Sequence, residues 1–330
     1  MLKKYLSLLL LILMPVSSFA ALPVLTVYTY DSFTADWGPG PKIKQAFEAQ
    51  CQCELKFVAL EDGVSLLNRL RIEGKNSRAD IVLGLDNNLL DAAQKTGLFV
   101  PSRVDTQKLS LPEGWHNDTF VPYDYGWFAF VYDKNKLAHP PGSLHELVET
   151  TQPLKIIYED PRTSTPGLGL LLWMQKVFGA DSDAAWQKLA KKTVTVTKGW
   201  SEAYGLFLKG EADMVLSYTT SPAYHLIEEK KDQYAAATFS EGHYLQVEVA
   251  AQLKHSQQPE LAHQFMQFIL SPAFQEKMPT GNWMYPAVKM PLPAGFETLT
   301  VPEKTLQYRA EEVARERQNW TRSWQHAVSQ

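Results

Sequence analysis

Short apolar runs along the chain alternate with longer stretches in which apolar residues recur every three or four positions. Residues 25–30 (LTVYTY), 54–60 (ELKFVAL) and 79–85 (ADIVLGL) read as strands, rich in β-branched and aromatic side chains. Each is followed by a turn and an amphipathic helix. The first helix opens at the Gly-Pro turn of 37–41 and runs through Phe47, the second carries Leu66, Leu67, Leu70 and Ile72, and the third covers 89–96. Three strand–loop–helix units in succession predict a parallel sheet with helices on its faces. Residues 119–132 break this rhythm with a long, extended, aromatic run, which predicts a strand leaving a first lobe and entering a second. There the α/β alternation resumes. Strands are expected at 154–158, 194–196 and 212–218, and helices at 144–148, from 164 onward, 184–191, 202–209 and around Tyr224. Residues 243–250 (HYLQVEVA) alternate and predict the return crossing, followed by helices at 259–270, 272–277 and 302–328. Trp320 and Trp324, one turn apart in the last helix, read as packing residues. The expected fold is α/β in two lobes, with 21–122 and 250–330 forming lobe 1 and 123–249 forming lobe 2. Two crossings make a hinge, and the lobes enclose a cleft.

The first twenty residues change where this fold is placed. Lys3 and Lys4, an apolar run over 6–14 and the small-x-small triplet Ser18-Phe19-Ala20 predict an export signal cleaved after Ala20. The apolar run is too short to span a bilayer, and no Cys follows to carry a lipid. Cleavage takes two lysines with it and lowers the formal charge from −4 to −6. A mildly acidic chain without a basic stripe is a poor partner for nucleic acid. Cys51 and Cys53 stand one residue apart; in an oxidising compartment they can close a local disulfide or remain free, and two sulfurs alone make a poor metal site.

Candidate chemistry begins at 158–169 (YEDPRTSTPGLG), where a buried strand gives way to a polar loop and an apolar helix. Ser164 or Thr165 can cap that helix, and Pro166 suits its first turn. Free N–H groups, two hydroxyls and the positive end of the dipole then favour an anion. Catalytic patterns are missing. There is no G-x-S-x-G, no G-x-G-x-x-G and no P-loop, and His145-Glu146 lacks the second His of a zinc-protease helix. Glu159 and Asp160 alone, without a nucleophile, do not make a catalytic site. Tyr30, Trp37, Trp200, Tyr218, Tyr224 and Trp283 all fall at strand ends or in turns, where open α/β sheets place their ligands. Such a set can stack a flat ring or a cation. Asp62, ending the second strand before Gly63, can cap a helix or accept from an amino group.

Six long blocks carry a resemblance: VYTYDSF at 27–33, LEDGVSLLNRL at 60–70, DPRTSTPGLGLLLWMQK at 160–176, TVTVTKGWSEAYGLFLK at 193–209, LSYTTSPAY at 216–224 and TGNWMYP at 280–286. Through them the chain resembles the periplasmic thiamine-binding proteins, solute receptors of ABC importers. The resemblance implies a type II periplasmic-binding-protein fold with two α/β lobes joined by hinge strands. It also implies capture, without chemistry or cofactor, of thiamine, thiamine monophosphate and thiamine diphosphate. Delivery would go to an inner-membrane permease driven by a cytoplasmic ATPase. By the same resemblance Asp62 and Gly63 contact the ligand from the first lobe. Ser164, Thr165, Trp200 and the run Tyr218, Thr219, Thr220 and Ser221 contact it from the second, with Tyr30, Tyr224 and Trp283 as aromatic positions around them. Tyr224 and Trp283 are expected to stack the rings, Asp62 to meet the amino group or ring charge, and the hydroxyls to hold the hydroxyethyl end or its phosphates. Arg162 can equally contact the ligand or pair within its loop. Two rivals follow. One is a receptor for ferric iron, using Tyr218, Tyr224 and His225, or for a polyamine. The other is a secreted enzyme that degrades thiamine or removes its phosphate.

Overall fold

The computed structural model describes residues 21–330, so the signal expected over 1–20 lies outside the described residues. The first strand–helix units are β1 (Val24–Tyr30), α1 (Asp31–Thr34), α2 (Gly40–Cys51), β2 (Glu54–Leu60), α3 (Gly63–Glu73), β3 (Ile81–Asp86) and α4 (Leu90–Gln94). After the long β4 (Val121–Asp133) come α5 (Leu144–Glu149), β5 (Ile156–Glu159), α6 (Thr165–Phe178), α7 (Ser182–Ala190), β6 (Thr193–Thr197), α8 (Trp200–Leu208), β7 (Met214–Tyr218), α9 (Pro222–Ile227) and β8 (Tyr234–Ala236). The chain returns along β9 (His243–Gln252) and ends with α10 (Pro259–Phe268), α11 (Pro272–Gln275), β10 (Tyr285–Pro286), β11 (Thr305–Leu306) and α12 (Ala310–Val328).

The main strand order is β2-β1-β3-β9-β4-β7-β5-β6. β1 runs parallel to β2 and β3, and β5 runs parallel to β6 and β7, as strand–helix–strand units require. The crossings are antiparallel. β4 pairs with β9 from Val121 to Trp127 and with β7 from Phe128 to Tyr132, so one strand belongs to both lobes. β9 pairs with β3 on its other edge. Every residue of β9 is buried, although its sequence alternates apolar and polar. Packing covers both faces, which takes Gln246 and Glu248 inside with the aliphatic residues.

α6 forms where the sequence signals it. Ser164 is extended (φ −113°, ψ 135°), its Oγ accepts from the Gly167 N–H at 3.1 Å, and Pro166 sits in the first turn. Thr165 to Met174 are all buried, so this helix is a central core element rather than an amphipathic surface one. Gly169 permits that position, because a Cβ there would overlap the ring of Phe128 on β4. Cys51 and Cys53 form a disulfide at the end of α2, the first of the two alternatives their spacing left open.

α12 packs against α4 in the first lobe and α6 and α7 in the second. Trp324 is buried beside Trp186 and donates its indole N–H to the Tyr158 hydroxyl at 3.1 Å, while Trp320 packs on Tyr308. Both tryptophans are packing residues, as their spacing predicts, and the last helix touches both lobes. For Gly169→Ala, overpacking costs about 1–3 kcal/mol, more than the roughly 1 kcal/mol gained by removing a glycine from a helix interior. Thermal unfolding of this variant is expected at a Tm several degrees below the parent; an unchanged or raised Tm would contradict the packing described.

Candidate ligand-binding cleft

A cavity of about 500 Å3 opens between the lobes at the C-terminal ends of β1, β2 and β7. Its walls are aromatic. Tyr224 and Trp283 meet edge to face at 5.3 Å, and Trp200 stacks on Tyr204 at 5.0 Å with 20° between the planes. Trp37, half exposed at the mouth, leans on Trp200 at 6.2 Å. Trp283 follows a π-helical turn over Met278–Asn282 and takes a left-handed backbone, φ 56° and ψ 39°. Such geometry is unfavourable for a bulky residue and tends to mark functional positions.

The lobes are in contact across the cleft. Asp62 caps α3 by accepting from the Gly63 N–H at 2.9 Å. Its carboxylate also accepts from the Ser164 hydroxyl at 2.8 Å and the Thr165 hydroxyl at 3.2 Å, both at the start of α6. The anion at that helix start is therefore the protein's own. Around it, Ser65 N–H donates to the Thr163 carbonyl (2.9 Å), Asn68 to the Arg162 carbonyl (3.1 Å), and the Ser201 hydroxyl to Asp31 (2.8 Å). Burial pushes Asp62 up to about 7, against the pull of its bonds to Ser164, Gly63 and Thr165.

Of the positions singled out from sequence, Tyr30, Asp62, Trp200, Tyr218, Ser221, Tyr224 and Trp283 line the cavity. Gly63, Ser164 and Thr165 lie just behind, gathered on Asp62. Thr219 and Thr220 are buried and do not line the cavity; the Thr219 N–H donates to the Trp127 carbonyl, and the Thr220 hydroxyl faces the sulfur of Met284, which does line it, at 3.8 Å. Arg162 pairs with Asp160 in its own loop, with contacts of 2.6 and 2.9 Å, and lies over the Trp324 ring. Glu159 is buried without a partner on either carboxyl oxygen, and burial and the charge of Asp62 push it well above the carboxylate range. The Tyr218 hydroxyl bonds Gln246 at 2.6 Å, whereas His225 bonds Tyr204 at 2.8 Å and Glu229 at 2.6 Å. These side chains do not converge as an iron site would require.

Sequence reading did not single out Glu248, Asn282, Tyr204 or Met284, all of which line the cavity. Glu248 gave one signal, as an acid inside a β-rich run, but alternation alone assigns it to solvent. Asn282 adjoins Trp283 and shares its turn. Three carboxyls face the cavity, those of Asp31, Asp62 and Glu248, and no Lys, Arg or His lines it among the described residues.

Residues 36–276 match the family described as bacterial extracellular solute-binding protein. A thiamine-binding periplasmic protein of Escherichia coli (strain K12) is 72% identical over 329 residues, covering 100% of both chains. One of the same name from Haemophilus influenzae is 52% identical over 307 residues, 92% of each. A solved structure titled periplasmic thiamin binding protein superposes with a TM-score of 0.93 at 73% identity, over 94% of this chain and 97% of that one. An apo ferric ion-binding protein A of Pasteurella haemolytica shares the fold alone, at TM-score 0.74 and 15% identity over 92% of this chain and 97% of that one. These are binding proteins rather than enzymes, built on the two-lobed periplasmic-binding-protein fold. The chain belongs to the bacterial extracellular solute-binding proteins and groups there with the relatives that carry the name thiamine-binding periplasmic protein.

Proposed function

We propose that this protein captures thiamine, thiamine monophosphate and thiamine diphosphate in the periplasm and hands them to an ABC importer. The partner is an inner-membrane permease with a cytoplasmic ATPase. The signal would direct export and then be cleaved after Ala20. The observation that carries the reading is the cavity itself, with aromatic walls, three carboxyls and, among the described residues, no lining base. Thiamine has a permanently cationic thiazolium and a flat aminopyrimidine, which suit acids and aromatic faces; a cation on a ring gains about 0.5–2 kcal/mol. On this reading Tyr224 and Trp283 stack a ring and Trp200 covers the linker. A phosphate would have to take the Ser164 and Thr165 hydroxyls over from Asp62, or meet Asp62 in its protonated form.

Both lobes contribute to the cavity, so a ligand that touches both favours the closed arrangement. Titration with thiamine is expected to give one saturable site by calorimetry and a change in tryptophan fluorescence. Absence of both heat and spectral change rejects the reading.

Bound beside Asp62, a cation stabilises the ionised carboxyl and pulls its pKa down from about 7. Below that pH, binding then releases a proton, so affinity falls with acidification, by up to about tenfold per pH unit for one linked proton. Calorimetry at pH 7.5 and 5.5 should therefore give a weaker Kd at the lower value; a Kd that is level or tighter there removes the link. Gly199 tests closure. A Cβ there would meet the Glu61 carbonyl of the facing lobe at 2.6 Å, although φ −150° suits any residue. Gly199→Ala is expected to weaken thiamine binding about tenfold, roughly 1.4 kcal/mol, with an unchanged far-UV circular dichroism spectrum. Parental affinity would mean that closure at this point is not required.

A further inference from the structure

The cavity has a second acidic wall, opposite in origin to Asp62. Glu248 on β9 and Asp124 on β4 are cross-strand partners on the two strands that link the lobes. Both are buried, but only Glu248 lines the cavity; Asp124 stands behind it with its Oδ1 lacking any hydrogen-bond partner. The two acids face each other across that ladder, and burial, joined at Glu248 by the charge of Asp124, raises both above the carboxylate range, so the pair keeps a proton near neutral pH. Tyr30 donates to Glu248 Oε2 at 3.1 Å. Asn282 Nδ2 reaches the same oxygen at 3.1 Å, Asp124 Oδ2 at 2.6 Å and the Tyr30 hydroxyl at 2.9 Å. Tyr123 closes the cluster from below, its hydroxyl 3.2 Å from that of Tyr30.

This is an expensive arrangement for mere structure. Two acids are buried together without a cation, and an apolar pair of similar volume would be cheaper. It is also held in place. The strained turn that positions Trp283 as an aromatic wall also positions Asn282 on the acids. A carboxyl that keeps its proton offers a donor and an acceptor side by side. The edge of an aminopyrimidine offers the complement, an amino donor beside a ring-nitrogen acceptor.

We propose that Glu248, backed by Asp124 and oriented by Tyr30 and Asn282, reads the amino group and adjoining ring nitrogen of the bound aminopyrimidine. The assignment rests on the thiamine reading above and deepens it. Glu248 sets which ring is accepted, while Asp62 and the start of α6 serve the other end of the ligand. A site that hydrogen-bonds a substrate group rejects an analogue lacking it, because its own buried polar atoms are left unpaired.

The test compares thiamine with its analogue carrying a carbonyl oxygen in place of the amino group, by calorimetry on the full mature chain. The parent protein is expected to prefer thiamine by at least about tenfold. In Glu248→Met, which keeps the length but removes both the donor and the acceptor, that preference should shrink to within about threefold, while the ratio of affinities for thiamine diphosphate and thiamine stays at the parental value. Asp124→Asn, which removes the facing acid that helps Glu248 hold its proton, should shrink the preference in the same direction, and it decides the matter if Glu248→Met does not fold. An equal loss for both compounds overturns the assignment, because a carboxyl acting only on the thiazolium charge cannot tell them apart. So does a parental preference retained in a folded variant. A parent protein that binds neither compound defeats the thiamine reading and this assignment with it, whereas a parent that binds both equally defeats this assignment alone.

Discussion

Three helix starts, those of α3, α6 and α8, converge on one carboxylate, and the closed cleft depends on that meeting. Asp62 caps α3 within its own lobe and completes the first turn of α6 in the other through Ser164 and Thr165. The dipoles point their positive ends at it. The approach leaves no room for side chains. A Cβ at Gly63 would collide with the Gly84 carbonyl and the Thr165 side chain, and one at Gly199 with Glu61. An anion buried in this way keeps a cost that neutral donors offset only in part, and the rise of Asp62 to about 7 expresses what remains. A basic residue would have removed that cost. Its absence from the cavity wall leaves the charge for a ligand to balance.

The two acidic walls differ in how they are made. Asp62 and Ser164 come from different lobes, so a hinge motion separates them. Asp124 and Glu248 sit opposite each other on β4 and β9, the strands that carry the chain between lobes, and share a ladder whether the lobes approach or part. One wall is a fixed frame and the other is completed on closure. On the proposed reading, the fixed wall with Tyr30 can receive the ring first, and the start of α6 then arrives with the second lobe. α12, packed on α4 and on α7, lies outside this sequence but must accommodate it, since it touches both lobes.

The local parts of this design were legible in the sequence. Ser164-Thr165-Pro166 announces a capped helix because a cap acts over three residues, and the strand–turn–helix units follow from periodicity alone. The aromatic positions Trp200, Tyr218, Tyr224 and Trp283 could be suspected because each follows a strand or a turn, although nothing local says that they converge. What stayed hidden is long-range. The acid that meets the start of α6 is a side chain 102 residues earlier, and no spacing rule encodes that. Glu248 was hidden for another reason: alternation marks an outward face only where one side of a sheet is wet, and β9 is covered on both. Thr219 and Thr220 mark the opposite limit, since a run that resembles a contact segment need not turn every member toward the same side.

On the proposed reading, a receptor that signals loading by closing must not close as readily when empty. The inter-lobe bonds of Asp62, Ser65, Asn68 and Ser201 favour closure with no ligand at all. Set against them are carboxyls that lose water as the cleft shuts, Asp62 and Glu248 foremost, with Glu159 behind them lacking any partner. These groups act in opposite directions on closure of the empty cleft. A ligand shifts that balance only by its differential affinity for the closed state, and tight binding to both states would shift nothing. A cation gains most where acids are driest, which is in the closed cavity. On this argument the buried acids that destabilise the empty closed form are the same groups that make a cationic vitamin its best stabiliser, and discrimination between loaded and empty protein needs no further element.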